Sequence, residues 1–248
     1  MRRAFRDVGP ADEGWTPPGG GRWKVVMGDD VGGNKYGGDH VEGDKIIGEG
    51  RPSRKRPRTI VVMSANPVDQ QLLRLDEERR AIDRAVSPAG DRLEVRTADA
   101  VRLDELQPAL VRHRPVVAHF SGHGSASQGI LVLDDSGRAR PVLPHALLDL
   151  FRIVSQHVRC VVLNACYTEQ QAQAIATYVP CVVGMRNQVS DSAAIRFAGA
   201  FYQGIALGQP VRVAFELGRN SLRLHGEPDA GSPRLLAAAG AADRPFPP

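Results

Sequence analysis

His119-Phe120-Ser121-Gly122-His123-Gly124 and, some forty residues later, Val161-Val162-Leu163-Asn164-Ala165-Cys166 decide how this chain folds. Each stretch ends an apolar run that breaks into small or polar residues and presents one reactive side chain at the break. His123 follows Pro115-Val116-Val117-Ala118, and Cys166 follows Cys160-Val161-Val162-Leu163. Read as neighbouring parallel strands, the two runs place an imidazole and a thiol over one sheet edge. Open α/β sheets bind ligands outside that edge. The pair reads as a cysteine-nucleophile enzyme.

Outward from these runs, residues 59–237 alternate strand and helix patterns. Thr59–Met63 is a buried strand that ends at Ser64-Ala65-Asn66-Pro67. Leu72, Leu73, Leu75, Ile82 and Val86 form a helical stripe, and Leu93–Arg96 is a short strand. A helix over Leu103–Val111 leads into the His-bearing strand. Gly129–Leu133 and Arg140–Val142 flank a turn at Asp134–Gly137 as a hairpin. Helices over Leu143–Val154 and Glu169–Tyr178 bracket the Cys-bearing strand, and Cys181–Met185 is a fifth. Two amphipathic helices close the unit, from about Ser192 to Leu207 and from Pro210 to Leu224. Near-continuous apolar strands separated by helices predict an α/β fold, with a mostly parallel sheet covered by helices on both faces.

The rest of the chain is organised differently. Residues 1–25 mix Gly, Pro and charge, and a disordered leader is expected there. Residues 26–50 repeat every five positions, as in Val31-Gly32-Gly33-Asn34-Lys35, Tyr36-Gly37-Gly38-Asp39-His40 and Val41-Glu42-Gly43-Asp44-Lys45. That period fits neither a helix nor a simple strand. It suits a short strand and turn, with Gly and Asp or Asn at the turn. Each unit offers one apolar side chain, so the array is either an assembly module that stacks on similar arrays or a flexible Gly-rich leader. Residues 51–58 form a basic, Pro-interrupted linker, and residues 238–248 are expected to be a disordered tail.

Composition sets the class. The 248 residues are 42% hydrophobic, with 26 Gly, 18 Pro and three Cys. Unpaired cysteine spacing and a start at Met1-Arg2-Arg3 argue against a disulfide framework and a secretory leader. No window nears ~18 apolar residues, so no membrane partner is expected. The formal charge of +4 is slight for this length, and Arg51–Arg58 lacks aromatic interleaving, so no nucleic-acid partner is expected either. A cytoplasmic bacterial protein is the resulting expectation.

The chemistry follows from the two breaks. Only a few per cent of an ordinary thiol is ionised at neutral pH, and a neighbouring imidazole raises that fraction or takes the proton during attack. His123 is the partner for Cys166. The N–H groups of Gly124 and Cys166 are candidates for an oxyanion hole. Cys160 and Cys181 lie within strands as core thiols, and His119 is core or supports the site from behind. Two other readings remain: a catalytically silent scaffold acting through the repeat, and a nucleotide site using Gly122–Gly129 as a phosphate loop. The second lacks a Gly-Lys-Ser/Thr ending and a following helix.

Ser121-Gly122-His123-Gly124 with Asn164-Ala165-Cys166, in this strand order, resembles the CHAT group of caspase-like cysteine peptidases, within the caspase–gingipain–separase fold. The resemblance runs from about Arg58 to Leu236. It includes Ser64-Ala65-Asn66-Pro67, Arg74-Leu75-Asp76-Glu77-Glu78 and Asp191-Ser192-Ala193-Ala194-Ile195-Arg196-Phe197. It implies His123 as general base, Cys166 as nucleophile, a protein or peptide substrate, and no metal or cofactor. It also implies a first-subsite pocket at Asn66, Asn164 and the stretch Arg186–Asp191. Relatives preferring basic residues carry Asp where this chain has Asn164. Asp191 either supplies that charge or N-caps the helix beginning at Ser192. The five-residue repeat is similar to leaders beside bacterial signalling and defence proteins. Activation by clustering, with copies of itself or with repeat-bearing partners, is expected separately, because an unregulated thiol protease would harm its own cell.

The repeat generates a first prediction. Replacing Val31, Tyr36 and Val41 with Ser is expected to abolish self-association while leaving the α/β domain folded. Sedimentation velocity checks this, and an unchanged monomer before and after substitution identifies an inert leader.

Overall fold

The computed structural model describes residues 56–246. The expected leader, the five-residue repeat and most of the basic linker lie outside the described residues. Within them, strands β1 (Arg58–Ala65), β2 (Leu93–Ala98), β3 (Val117–Gly122), β7 (Cys160–Asn164) and β8 (Cys181–Met185) pair in parallel. The sheet order is β2-β1-β3-β7-β8-β9, where β9 (Pro233–Ala237) runs antiparallel to β8.

Strand side chains alternate between faces, and β1 shows the result. Ile60 and Val62 join a core with Ile82 and Val86 of α1 (Leu75–Val86), Phe197, Phe201 and Tyr202 of α5 (Asp191–Ala206), and Phe215 and Leu222 of α6 (Val211–Leu224). Val61 and Met63 point the other way. They meet Leu106 and Leu110 of α2 (Leu103–His113), Phe151 and Val154 of α3 (Pro144–Val154), and Ala172 and Ile175 of α4 (Glu169–Ile175). Both faces of the sheet are therefore dry, which is why its strands read as unbroken apolar runs.

A small antiparallel sheet of β4 (Gly124–Ser125), β5 (Gly129–Leu133) and β6 (Ala139–Pro141) contains the hairpin expected from the sequence. The Gly122–Gly129 stretch thus runs into a strand and not into a helix N-terminus. Asp134 closes the hairpin turn, its Oδ1 accepting the N–H groups of Ser136 and Arg138 at 2.8 and 2.9 Å.

Three expectations need correcting, and one strand is added. Helix α1 begins at Leu75, and Leu72 is exposed in the preceding loop, outside the helical stripe. Asp191 does not cap the helix that follows it, because α5 starts one residue earlier than expected. The cap is Ser190, whose Oγ accepts the Ala193 N–H at 3.3 Å. β9 was not anticipated; it opens with Pro233 and is only partly buried, as suits an edge strand.

The tail, finally, packs onto the domain as far as Phe246. Ala242 and Phe246 are buried in the core beside Val211, and Ala238 donates its N–H to the Pro180 carbonyl at 3.0 Å. One aromatic and several alanines anchor the segment, a pattern too sparse to register as an element. Phe246→Ala is expected to cost about 3–5 kcal/mol, the usual loss for a buried Phe truncated to Ala. Urea unfolding measures it; a change under ~1 kcal/mol would mean that the tail contributes little to stability.

Candidate functional site

The register of β3 on β7 pairs Phe120 with Leu163 and Ser121 with Asn164. The next residues on each strand, Gly122-His123 and Ala165-Cys166, therefore leave the sheet side by side at its C-terminal edge. His123 and Cys166 line one narrow cleft with Gly122, Asn164, Ala165 and Val189. The cleft is small, at about 40 Å³.

His123 is half-buried, and its Nε2 lies 2.7 Å from the Gln71 carbonyl oxygen. A carbonyl only accepts, so this contact places a proton on Nε2, and in the neutral ring Nδ1 is then the acceptor nitrogen. Gln71 sits in the loop between β1 and α1. The Asn66 side chain staples that loop, donating from Nδ2 to the Leu73 carbonyl at 3.0 Å and accepting the Leu73 N–H at 3.3 Å.

Cys166 is the half-exposed thiol of the three; Cys160 and Cys181 are buried. Burial pushes the Cys160 thiol well above its ordinary value and raises that of Cys181 to about 11. Neither ionises usefully near neutrality. The Cys166 sulfur accepts the Val189 N–H at 3.4 Å, which ties it to the loop after β8. Tyr167, next in sequence, has φ 58°, a left-handed conformation uncommon outside glycine. Thr168 then fastens the turn: its buried hydroxyl donates to the Ala165 carbonyl at 2.9 Å and accepts the Met185 N–H at 3.0 Å. Gly124 approaches this turn so closely that a Cβ on it would lie 2.3 Å from the Cys166 carbonyl oxygen. Only glycine fits there.

Behind the cleft lies a feature that the sequence reading missed as a group. Glu78, 3% exposed on α1, accepts the Asn164 Nδ2–H at 2.5 Å and a hydrogen bond from the Ser121 hydroxyl. His119 Nε2 stands 3.0 Å from the same carboxylate, and its Nδ1 is 3.1 Å from the Tyr202 hydroxyl. His119 is therefore a fully buried polar core residue. The available signal was positional. Glu78, Ile82 and Val86 share the inward face of α1 at a spacing of four, so a carboxylate occupied an apolar stripe.

The candidate substrate residues separate. Asn164 and Asp191 line the cleft, but Asn66 does not: it lies with Ser64, Leu72 and Asp99 along a neighbouring cavity and shapes the loop from there. The Asn164 amide nitrogen is engaged by Glu78 and by the Ala194 carbonyl, whereas its buried Oδ1 has no donor. Asp191 Oδ2 accepts from the Arg74 backbone N–H and Nε, both at 3.0 Å. Among the described residues no group of three or more His, Cys, Asp or Glu is placed to hold a metal ion.

Comparison with known proteins adds a lineage. The CHAT domain family model matches residues 46–233. A Roc-COR-CHAT protease from an unidentified prokaryote is 22% identical over 183 residues, covering 70% of this chain and 17% of that protein. A probable protease of Gillisia limnaea is 25% identical over 158 residues, covering 58% of this chain and 26% of its own length. The chain thus spans a minor part of either relative. Among solved structures, the Arg-specific cysteine proteinase gingipain R superposes with a TM-score of 0.54 at 9% identity, over 77% of this chain and 48% of that one. The Drosophila initiator caspase Dronc gives 0.52 at 12% identity, over 92% and 97%. These likenesses carry the fold.

Removing the Glu78 carboxylate would strand three buried polar side chains. Glu78→Ala is expected to cost about 3 kcal/mol or more, at ~1–3 kcal/mol per buried group left without its partner. It should also change the rate at which iodoacetamide modifies Cys166. Chemical denaturation and peptide mass mapping check the two parts.

Proposed function

The chain belongs to the CHAT domain family, and on that footing we propose that it is a cysteine endopeptidase working through His123 and Cys166. The observation that carries the reading is their convergence on one cleft, with His123 Nε2 held by the Gln71 carbonyl so that Nδ1 is free to act as base. In the proposed reaction His123 Nδ1 takes the proton from Cys166 Sγ, and the sulfur attacks the scissile carbonyl carbon. The N–H groups of Gly124 and Cys166 receive the oxyanion. As the tetrahedral intermediate collapses, the imidazolium gives its proton to the leaving amine. Water, deprotonated by the same imidazole, then hydrolyses the thioester and restores the thiol.

The first-subsite preference in this reading is for a basic side chain. Asp191 carries a negative charge into the cleft, and its partner Arg74 is half-exposed, so the pair is weak and open to exchange. An incoming guanidinium or ammonium would replace Arg74 at Asp191 and supply a donor to the orphaned Asn164 Oδ1. Clustering through residues 26–50 would bring domains together and order the loop from Met185 to Asp191 around the thiol. A role in bacterial signalling or defence accords with the repeat.

A peptide-library cleavage screen of intact and leader-deleted protein tests these statements together. Cleavage after Arg or Lys is expected, with lower activity once the leader is removed. Cys166→Ala should abolish turnover, and His123→Ala should lower it roughly 10²-fold or more. Gly124→Ala should lower it about 10²-fold by displacing the Cys166 backbone. Full activity in the Cys166 or His123 variant would sink the dyad assignment.

A further inference from the structure

The strand ends opposite the catalytic cleft carry a second site. There, roughly 20 Å away along the strands, a cleft of about 560 Å³ is lined by Arg56 and Arg58 at the start of β1 and by Arg112, His113 and Arg114 at the end of α2. Its one carboxylate, Glu94, accepts from the Thr59 hydroxyl and from Arg96, both at 2.8 Å. Elsewhere among the described residues some arginines, Arg80, Arg186, Arg196 and Arg212 included, sit against a carboxylate, while others such as Arg140 and Arg223 stand singly on the surface. Among the described residues Arg56, Arg58, Arg112 and Arg114 have no such partner.

The charge at this end is not neutralised by the fold. His157, half-buried nearby with both ring nitrogens unpartnered, has its imidazole held below the ordinary value first by burial and then by the positive charge of Arg114. A helix C-terminus favours cations in its last turn, which accounts for Arg112 and His113. It does not account for Arg56 and Arg58, which arrive from the linker and β1. Taken alone in sequence, Arg51–Arg58 reads as a solvated linker; folded, its last arginines meet those of α2 around one concavity. Convergent guanidiniums repel one another, and phosphate oxygens match their planar donor forks.

We propose that this cleft binds a phosphate-bearing polyanion, supplied either by a free polyphosphate or by a nucleic-acid backbone. The inference is independent of the cysteine chemistry. Its test uses full-length Cys166→Ala protein, titrated at low and physiological ionic strength with inorganic tripolyphosphate and with a fluorescein-labelled single-stranded oligonucleotide. Calorimetry reads the first and anisotropy the second. Binding of either is expected, weakening as salt rises. Arg112→Glu with Arg114→Glu should weaken it roughly tenfold or more. Arg140→Glu with Arg223→Glu changes the net charge equally at exposed positions elsewhere, and should leave binding intact. Tripolyphosphate binding, and its competition with the oligonucleotide, identifies the free polyphosphate as sufficient; oligonucleotide binding alone identifies the backbone. Failure of both ligands to bind, equal losses in the two double variants, or full binding by the Arg112/Arg114 variant overturns the proposal.

Discussion

A carboxylate with almost no access to water holds the cleft end of the sheet together. Burying Glu78 without partners would cost several kcal/mol. The fold avoids that cost by aiming at it Ser121 and His119 from β3 and Asn164 from β7. Because Asn164 is two residues before Cys166 and Ser121 two before His123, the clamp fixes both strand ends relative to α1. The two reactive side chains then need only short, well-fastened turns to reach one cleft.

Those turns divide the labour. The thiol's position is set from both flanks: Thr168 ties its turn to β8, and Gly124 allows the His-bearing loop to lie against the Cys166 backbone. The imidazole is set from outside the sheet, by a carbonyl of the β1–α1 loop that Asn66 shapes. At the rim of the cleft, by contrast, Asp191 pairs with Arg74 in an ion pair that is half-exposed on the arginine side.

Much of this was legible in the sequence because burial on both faces of a parallel sheet writes long apolar runs. β1, β3, β7 and β8 each stand out, and the breaks after β3 and β7 expose His123 and Cys166 as the residues at the edge. What stayed hidden is what depends on partners far along the chain. Glu78 looked like one more acid in Asp76-Glu77-Glu78 until helix phase put it on the inner face. Family resemblance put Asn66 and Asn164 in the first-subsite pocket, but their amides are engaged within the protein, with one Asn164 oxygen left over. The tail and β9 are held by neighbours at Pro180, Val183 and Val211 and carry little periodicity of their own.

The clamp also has a place in time. Its partners are widely spaced: Glu78 and Asn164 are 86 residues apart, and His119 waits for Tyr202, 83 residues downstream. A nascent chain emerging at about 5–20 residues per second has released the Cys166 turn before α5 can cover that face of the sheet. For those seconds His119 has its carboxylate partner within reach of the chain already made but not its hydroxyl partner, Tyr202. The order of synthesis therefore leaves the last contact of the clamp to a residue that emerges well after both strand ends.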